Sequence, residues 1–380
     1  MSDRNWTLAT ALQHEGASHR LGSGLVGAVE ISATFENEDS QKAPRYARLS
    51  DTKNHMEANA LVARLNGTSG GRVFGSGMSA MSAACLTFLS PGDHLLVQEN
   101  GYGGNQGLFN KVLSKFGIQV TYAPLVEWDA RLQQNTKMCV FESISNPFCL
   151  PQDVGFASAF AQKNNLLSLC DNTFASPINI QPCKLGVTLT LDSGTKYLNG
   201  HSDLICGALA GSAEHLTKVD AVAMYLGGFL PANGCAQLAR GLRTLELRML
   251  RHNSNAKTLV ELLCQRPKWI SKVYSGWNRA LETHNEFQGF SGFGGMLAIE
   301  FQPQVDVEKM LQHLELVANV PSLGGTETTV TMPYYTTHFW LTPDQKEKLG
   351  VTKSLVRLSV GLEDPLDIMG DFENAWLKVS

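Results

Sequence analysis

The sequence predicts an α/β protein with a mostly parallel sheet in a large domain and a smaller α+β domain at the C-terminus. The chain has 380 residues, of which 43% are hydrophobic, so it is long enough for one large core and a second, smaller one. Short apolar strands alternate with helical patterns from about residue 71 to residue 211, which is typical of a parallel sheet covered by helices. From about residue 257 the pattern changes to a helix, strands and a further helix.

The N-terminal part, up to about residue 44, has little helical or strand periodicity and is rich in Gly, Ser and Asn. We therefore predict an arm that lies on another surface, often that of a neighbouring subunit. A helical pattern over Met56–Leu65 follows and ends at Gly67, a residue type that commonly ends helices. The predicted domains are 1–55 for the arm, 56–246 for the α/β domain and 247–380 for the C-terminal α+β domain.

The elements within these domains follow from the spacing of apolar residues. One long helix is expected to connect the α/β domain to the C-terminal domain. The predicted strands are His94–Gln98, Met138–Phe141, Leu166–Cys170 and Gly295–Phe301, and the predicted helices are Ala80–Leu89, Val154–Asn164, the connecting helix Leu238–Thr258 and a helix near Val305–Leu314.

Composition excludes several classes of function. The net charge is −4 and no run is rich in Lys or Arg, so neither nucleic acid nor an anionic membrane surface is an expected partner. The polar start argues against a secretory signal, and no apolar window is long enough to span a bilayer. The eight cysteines form no Cys-x-x-Cys pair, and we predict that they are reduced core residues of a cytoplasmic protein. The histidine spacing predicts no metal site.

The most distinctive stretch is Ser193–Asp203, which reads Ser-Gly-Thr-Lys-Tyr-Leu-Asn-Gly-His-Ser-Asp and follows the mostly apolar run Leu185–Leu191. Lysine forms Schiff bases with carbonyl groups, and burial lowers its pKa so that a neutral amine is available. Ser193 and Thr195 would supply hydroxyl donors to an anion beside Lys196. A solvated lysine in a surface turn is the alternative.

Two further motifs fit an anion and a flat ring. Gly75–Ser79 opens an apolar helix, so the backbone N–H groups of Gly77 and Met78 can approach a phosphate at the helix start. Tyr102 follows the end of a predicted strand, in the crevice of the sheet, where its ring can stack on another ring. An ordinary helix cap and a tyrosine in a glycine-rich loop are the respective alternatives.

Two charged residues at or within predicted strands need a partner. Asp171 ends an apolar strand and is costly to bury without a cation beside it. Arg357 lies in a predicted strand, and its planar fork suits a carboxylate. The alternatives are a helix-capping aspartate and an ion pair of Arg357 with Glu363 or Asp364.

Together these motifs resemble those of the pyridoxal 5'-phosphate (PLP) enzymes of cysteine and methionine metabolism. That family includes cystathionine γ-synthase, cystathionine γ-lyase, cystathionine β-lyase and methionine γ-lyase. The resemblance extends from about Phe35 to Glu373 and implies the aspartate aminotransferase-like fold, fold type I of PLP-dependent transferases. It also implies a homo-oligomer, at least a dimer and at most a dimer of dimers, with sites shared between subunits.

The resemblance assigns a role to each motif. Lys196 would form the Schiff base, Asp171 would keep the ring protonated, Asn146 would bond the phenolic oxygen, and Tyr46 and Arg48 would reach the phosphate across the dimer. The implied cofactor-binding residues are Tyr46, Arg48, Gly77, Met78, Tyr102, Asn146, Asp171, Ser193, Thr195 and Lys196; the catalytic ones are Lys196, Tyr102 and Tyr46; the substrate-binding ones are Ser322, Thr337 and Arg357.

Two departures from the family pattern narrow the range of expected substrates. Members that handle cystathionine carry an arginine where this chain has Gly107 and a glutamate where it has Pro321. A buried site without a second cation discriminates against dicarboxylic substrates. We therefore expect γ-elimination or γ-replacement on a small amino acid with a thioether, homoserine ester or γ-halide tail.

Three alternatives to this substrate and activity stay open. They are a cystathionine β-lyase, a cystathionine γ-synthase or γ-lyase, and a non-enzymatic PLP-fold binding protein. The run Thr326–Thr337, with Tyr334, Tyr335 and the nearby Trp340, would line the tail of the substrate or form a surface strand pair.

Overall fold

The computed structural model describes residues 6–15, 24–36, 46–49, 52–278, 287–339 and 341–380. Within these residues the chain forms two sheets, one of seven strands and one of five. The α/β fold with a second, smaller sheet domain is the predicted one. The predicted boundaries between arm, α/β domain and C-terminal domain stay a prediction.

The large sheet has the strand order β1-β7-β6-β5-β4-β2-β3. Neighbours from β3 to β6 run parallel, and only β7 is antiparallel to both of its neighbours, so the sheet is mostly parallel as predicted. The strands are β1 (Gly70–Phe74), β2 (His94–Gln98), β3 (Gln119–Ala123), β4 (Thr136–Glu142), β5 (Leu167–Asp171), β6 (Leu189–Asp192) and β7 (Gly207–Gly211).

The small sheet has the order β10-β11-β12-β9-β8 and is antiparallel except between β10 and β11. Its core is a cluster of its own that includes Leu297, Val356 and Phe372. The strands are β8 (Ile270–Tyr274), β9 (Met296–Phe301), β10 (Ala318–Asn319), β11 (Thr329–Thr331) and β12 (Leu355–Ser359).

Helices cover the sheets and connect the strands. Short 3₁₀ turns lie at Ala47–Leu49, Leu113–Phe116, Leu125–Glu127 and Pro182–Leu185. The α-helices are α1 (Leu8–His14), α2 (Lys53–Asn66), α3 (Gly77–Phe88), α4 (Gly103–Lys111), α5 (Trp128–Arg131), α6 (Val154–Lys163), α7 (Ser176–Asn179), α8 (Ala213–Leu226), α9 (Ala232–Leu242), α10 (Leu245–Cys264), α11 (Val307–Gln312), α12 (Pro343–Lys348) and α13 (Pro365–Leu377).

The large sheet is buried on both faces, which explains why its strands read as short continuous apolar runs. In β2, every residue is buried. Side chains alternate between two core clusters because successive residues of a strand point to opposite faces. Leu95 and Val97 pack in one cluster, while Leu96 packs in the other with Leu61 of α2.

Local capping sets both ends of α2, which begins at Lys53 instead of the predicted Met56 and ends at the predicted Gly67. The hydroxyl of Thr52 accepts a hydrogen bond from the amide of His55, and Gly67 ends the helix with a left-handed φ of 65°. Such a cap contributes about 1 kcal/mol. The family has Asn-Pro-Thr where this chain has Asp51-Thr52-Lys53, and the described part of that turn serves as the helix N-cap.

One prediction about the helices is wrong, and the arm contains a helix that the sequence pattern did not indicate. This helix is α1, whose Leu12 is buried and which packs on α2. The long helix Leu238–Thr258 is interrupted between α9 and α10. There the carbonyl of Gly241 accepts hydrogen bonds from the amide of Thr244 at 3.2 Å and from the guanidinium of Arg248 at 2.8 Å. A Cβ at Gly241 would lie 2.5 Å from the Asn199 oxygen, so the Asn199 loop packs directly beside the interruption.

No helix in the described part of the chain is both long and apolar enough to cross a membrane. Six of the eight cysteines are buried, and these six are free thiols. The described ranges contain no group of three or more potential metal-ligating residues.

Candidate active site

The carboxyl ends of neighbouring strands bring the predicted polar residues together. Tyr102 follows β2, Asn146 follows β4, Asp171 ends β5 and Ser193 follows β6. These four strands lie side by side in the sheet, and all run parallel. Ligands of open α/β sheets bind in the crevice at this edge.

Asp171 is buried, with 9% of its surface exposed. The hydroxyl of Thr173 donates a hydrogen bond to Oδ1 at 2.6 Å, and the amide of Asn105 donates to Oδ2 at 3.3 Å. Burial raises the pKa of this carboxyl despite these hydrogen bonds. Among the described residues it forms no ion pair, so a protonated pyridine nitrogen would supply the cation that it lacks.

The N-terminus of α3 forms a cup beside β6. The hydroxyl of Ser76 caps the helix by accepting from the amide of Ser79 at 3.0 Å. A side chain at Gly77 would lie 3.1 Å from Cβ of Ser193, so glycine lets the helix start approach the β6 loop. The free amides and the helix dipole suit a phosphate. The hydroxyl of Thr195 is hydrogen-bonded to backbone atoms of Cys206, at 3.0 and 3.1 Å.

Lys196 follows β6, in the same loop that Gly77 approaches at Ser193. Its Nζ donates a hydrogen bond to Oγ of Ser322 at 2.8 Å. Burial, and to a smaller extent the positive charge of Arg357, lowers the pKa of Lys196 to about 8. The lysine is therefore not a solvated surface residue, and a neutral amine for Schiff-base chemistry is accessible near neutral pH.

Arg357 is 4% exposed in β12 of the small sheet. Its Nη1 donates to Oδ1 of Asn146 at 3.0 Å. The alternative ion pairs are absent: Glu363 accepts from Thr328 instead, and Asp364 caps α13. The guanidinium thus has no carboxylate partner in the described chain and is available to an anionic ligand.

One cavity of about 800 Å³ lies between these groups. It is lined by residues of both sheet domains, so the ligand would lie between them. Of the predicted site residues, those that line it are Gly77, Met78, Tyr102, Asn146, Asp171, Ser193, Thr195, Lys196, Ser322, Thr337 and Arg357.

Tyr46 and Arg48 do not line the cavity of their own chain. Nη1 of Arg48 donates to the carbonyl of Met224, in the last turn of α8, at 2.5 Å. Both residues lie on the arm, where a role in a neighbouring subunit's site stays a prediction.

The structure places only some of the residues predicted to bind the substrate tail at the cavity. Tyr335 and Phe339 line the cavity, and the hydroxyl of Tyr335 donates to Glu308 at 2.6 Å. Tyr334 instead packs in a separate cluster with Val351, away from the cavity. The predicted contribution of Trp340 falls outside the described residues.

Sequence reasoning gave no role to three residues that support the site. Thr173 bonds Asp171, and its position in Asp-Asn-Thr was the available signal. Arg248 donates to the carbonyls of Tyr197 and Leu198, directly after Lys196, at 2.7 and 3.3 Å. Glu142 accepts from the backbone amide of Tyr102 at 2.5 Å. The last two contacts join distant parts of the chain, which no local motif indicates.

Comparison with known proteins decides the family. The family model described as "Cys/Met metabolism PLP-dependent enzyme" matches residues 10–377. The chain belongs to this family. Its cofactor is therefore pyridoxal 5'-phosphate, and the predicted family, cofactor and enzymatic nature of the chain are confirmed, against the alternative of a binding protein.

Individual relatives align over almost the full chain. The enzyme is 34% identical to cystathionine β-lyase of Bacillus subtilis over 389 residues, 100% of this chain and 99% of the relative. It is also 34% identical to L-methionine γ-lyase of Fusobacterium nucleatum over 393 residues, 98% of each chain. The crystal structure of cystathionine γ-lyase from Lactobacillus plantarum complexed with L-serine superposes with a TM-score of 0.92 at 30% identity, covering 98% of this chain and 99% of that one.

Proposed function

We propose that the enzyme acts at Cγ of a small L-amino acid whose γ-substituent is uncharged, such as a thioether, a homoserine ester or a γ-halide. The cations that line the cavity carry this proposal. They are Lys196 and Arg357, and the lining also contains the carboxyl groups of Glu142 and Asp171. Lys196 is needed for the cofactor, so Arg357 is the one cation left in the described lining, enough for one carboxylate.

A second, distal carboxylate would be buried without a partner, which is strongly unfavourable. Gly107 lies on α4 outside the cavity lining, and a side chain there would meet nothing within 4 Å. Pro321, the other departure from cystathionine-binding relatives, lines the cavity and brings no charge. Tyr335 and Phe339 at the same cavity offer aromatic contact to an uncharged tail.

The chain's own groups fit the proton transfers of such a reaction. When bound, PLP supplies an aldehyde that links to amino groups and a protonated ring that accepts electrons. The amine of Lys196, with its pKa of about 8, is suited to remove the proton from Cα of the substrate and then one from Cβ. Burial, with Asp171 adding to it, raises the pKa of Tyr102, so the phenol keeps a proton that it can donate to the leaving atom.

The relatives' names leave cystathionine as the competing substrate, since the two relatives described above are a cystathionine lyase and a methionine lyase at equal identity. The test compares kcat/KM for cystathionine, methionine, O-acylhomoserine and a γ-chloro amino acid. We expect cystathionine to rank lowest and the keto acid from the others to be 2-oxobutanoate. Pyruvate from cystathionine at the highest kcat/KM would instead establish β-lyase activity.

Variants at position 107 sharpen this test. Gly107→Arg adds a cation and Gly107→Gln adds similar bulk without charge. We expect the arginine variant alone to improve kcat/KM for cystathionine relative to methionine. An equal effect of both variants, or none, would mean that charge at this position does not select the substrate.

We further propose that the active unit is a homo-oligomer with sites shared across a dimer. Arg48 is tied to the end of α8, and the neighbouring Tyr225 and Leu226 are exposed, Tyr225 by 81%. Leu25 and Ile31 of the arm are also exposed large apolar residues. Such surfaces are typical of subunit interfaces.

Cytoplasmic localisation stays a prediction, supported by the buried free cysteines.

A further inference from the structure

Glu142 is a buried carboxyl for which the proposed chemistry has no use. It ends β4 and is 7% exposed, yet it lines the cavity. Its Oε1 accepts the backbone N–H of Tyr102 at 2.5 Å, and the backbone amide of Asn146 also interacts with the carboxyl. Its other oxygen, Oε2, is buried without a hydrogen-bond partner in the described chain. A buried polar atom of this kind requires an explanation.

The contacts of Glu142 join two turns that face the cofactor site. Tyr102 lies after β2 and Asn146 after β4, and these parallel strands are neighbours. The backbone amide of Glu142 donates to the side chain of Gln98 at 2.9 Å, which fixes the end of β4 to the end of β2. A side chain at Gly101 would lie 3.2 Å from Oε1, so the turn before Tyr102 closes directly on the carboxyl.

The charge of Glu142 matters because Arg357 is close. The charged and titratable groups that interact with it are Asp171, Arg357, Tyr102, Cys149 and Cys170. Burial first, and then Asp171, raises the pKa of Glu142 well above its usual range, against the opposing effect of the two amides and Arg357.

Arg357 donates to Asn146 and forms no ion pair with Glu142. An ionised Glu142 would attract the guanidinium and compete with a substrate carboxylate for it.

We propose that Glu142 is a positioning residue: as an uncharged carboxyl it ties the turn of Tyr102 to the turn of Asn146 and leaves Arg357 free for the α-carboxylate of the substrate. This inference rests on the proposed function only in taking an α-amino acid as the ligand. It does not depend on which leaving group the substrate carries.

The test uses Glu142→Gln and Glu142→Ala in the PLP-loaded enzyme. The glutamine amide keeps an acceptor for the two backbone amides and is always neutral, whereas alanine removes the acceptor. Glu300→Gln is the matched control, because Glu300 is a partly buried carboxyl on β9 that bonds Thr352 outside the cavity lining. Glycine is the probe: it has the α-amino and α-carboxylate groups but no leaving group, and its binding is followed by the cofactor absorbance.

We expect Glu142→Gln to bind glycine and PLP within about twofold of wild type and the control to be unchanged. We expect Glu142→Ala to bind PLP more weakly and to lose about ten- to hundredfold in kcat, since small displacements of reacting groups have effects of this size. A glutamine variant that loses more than tenfold in glycine affinity contradicts the proposal, even if the alanine variant does not fold. A folded alanine variant with unchanged PLP affinity and kcat contradicts it as well.

This result is separate from the identity of the substrate. If cystathionine proves to be preferred, the proposed γ-specificity fails while the glycine titration still decides the role of Glu142.

Discussion

At the scale of single residues, the fork geometry of Arg357 is the feature on which substrate binding depends most. A lysine there keeps the charge but offers a point donor in place of the planar fork. Losing one charge-assisted hydrogen bond costs about 1.5 kcal/mol, or about tenfold in affinity. We expect Arg357→Lys to raise KM for the amino-acid substrate by about tenfold with a smaller effect on kcat.

The matched control for this variant is Arg131→Lys, at an exposed position of α5. Steady-state kinetics of both variants give the comparison. An Arg357→Lys enzyme with the KM of wild type would show that the guanidinium does not bind the carboxylate.

Two glycines of α4 differ in what a side chain would meet. At Gly104 a Cβ would lie 2.3 Å from the ring of Tyr102, whereas at Gly107 it would meet nothing within 4 Å. We expect Gly104→Ala to displace the ring and lower kcat at least tenfold, a size typical of misplaced groups. Gly107→Ala should leave kcat unchanged and stabilise the helix by up to about 1 kcal/mol.

Kinetics and thermal unfolding of both glycine variants test this difference. Equal kcat values for Gly104→Ala and Gly107→Ala would mean that Tyr102 does not need the space above Gly104.

The sequence was most informative where a functional residue lies at the end of a strand or in the loop that follows it. Asp171 and Lys196 could be identified because a charged residue after an apolar run is costly unless it has a partner. Glu142 occupies a similar position, but its role depends on the turn of Tyr102, 40 positions away. Tyr334 and Tyr335 are adjacent in the sequence, yet only Tyr335 lines the cavity.

At the scale of elements, short apolar runs alternating with helical patterns predicted the mostly parallel sheet, because both faces of that sheet are buried. The helix break between α9 and α10 was not predictable, since the apolar pattern continues through it. At the break, Asn199 packs against Gly241, and the guanidinium of Arg248 donates a hydrogen bond to the Gly241 carbonyl. Only tertiary structure brings these groups together.

Strand β6 ends in Asp192, a buried carboxyl directly before the Lys196 loop. Burial, and then Asp171, raises its pKa well above the usual 3.8. The folded state therefore binds the proton of Asp192 more tightly than the unfolded state does. The protein loses stability as pH rises from 3.8 through the folded-state pKa of this carboxyl. A tenfold difference in proton affinity corresponds to about 1.4 kcal/mol.

We therefore expect the free energy of unfolding of the cofactor-free protein to fall as pH rises above 3.8, the usual pKa of the carboxyl, and to fall less steeply in Asp192→Asn. Urea unfolding at several pH values measures both slopes. Asp129→Asn, at an exposed position, is the control and should keep the wild-type slope. Identical slopes for Asp192→Asn and wild type would show that Asp192 does not carry this dependence.

At the scale of the whole molecule, the separation of Tyr46 and Arg48 from their own cavity predicts sites shared between subunits. Lys196→Ala and Arg48→Ala should each be inactive alone. In a mixed population after subunit exchange, half of the dimers are hybrids with one intact site each, so about a quarter of wild-type activity should return. No recovery despite proven exchange would place Arg48 and Lys196 in the same chain's site.

The central claim is that Lys196 holds the cofactor in the cavity between the two sheet domains. Borohydride reduction of the purified enzyme, followed by peptide mapping with mass spectrometry, tests it directly. We predict a single pyridoxyl-modified peptide that contains Lys196, and none from Lys196→Ala. Modification of another lysine in the wild-type enzyme would contradict the account.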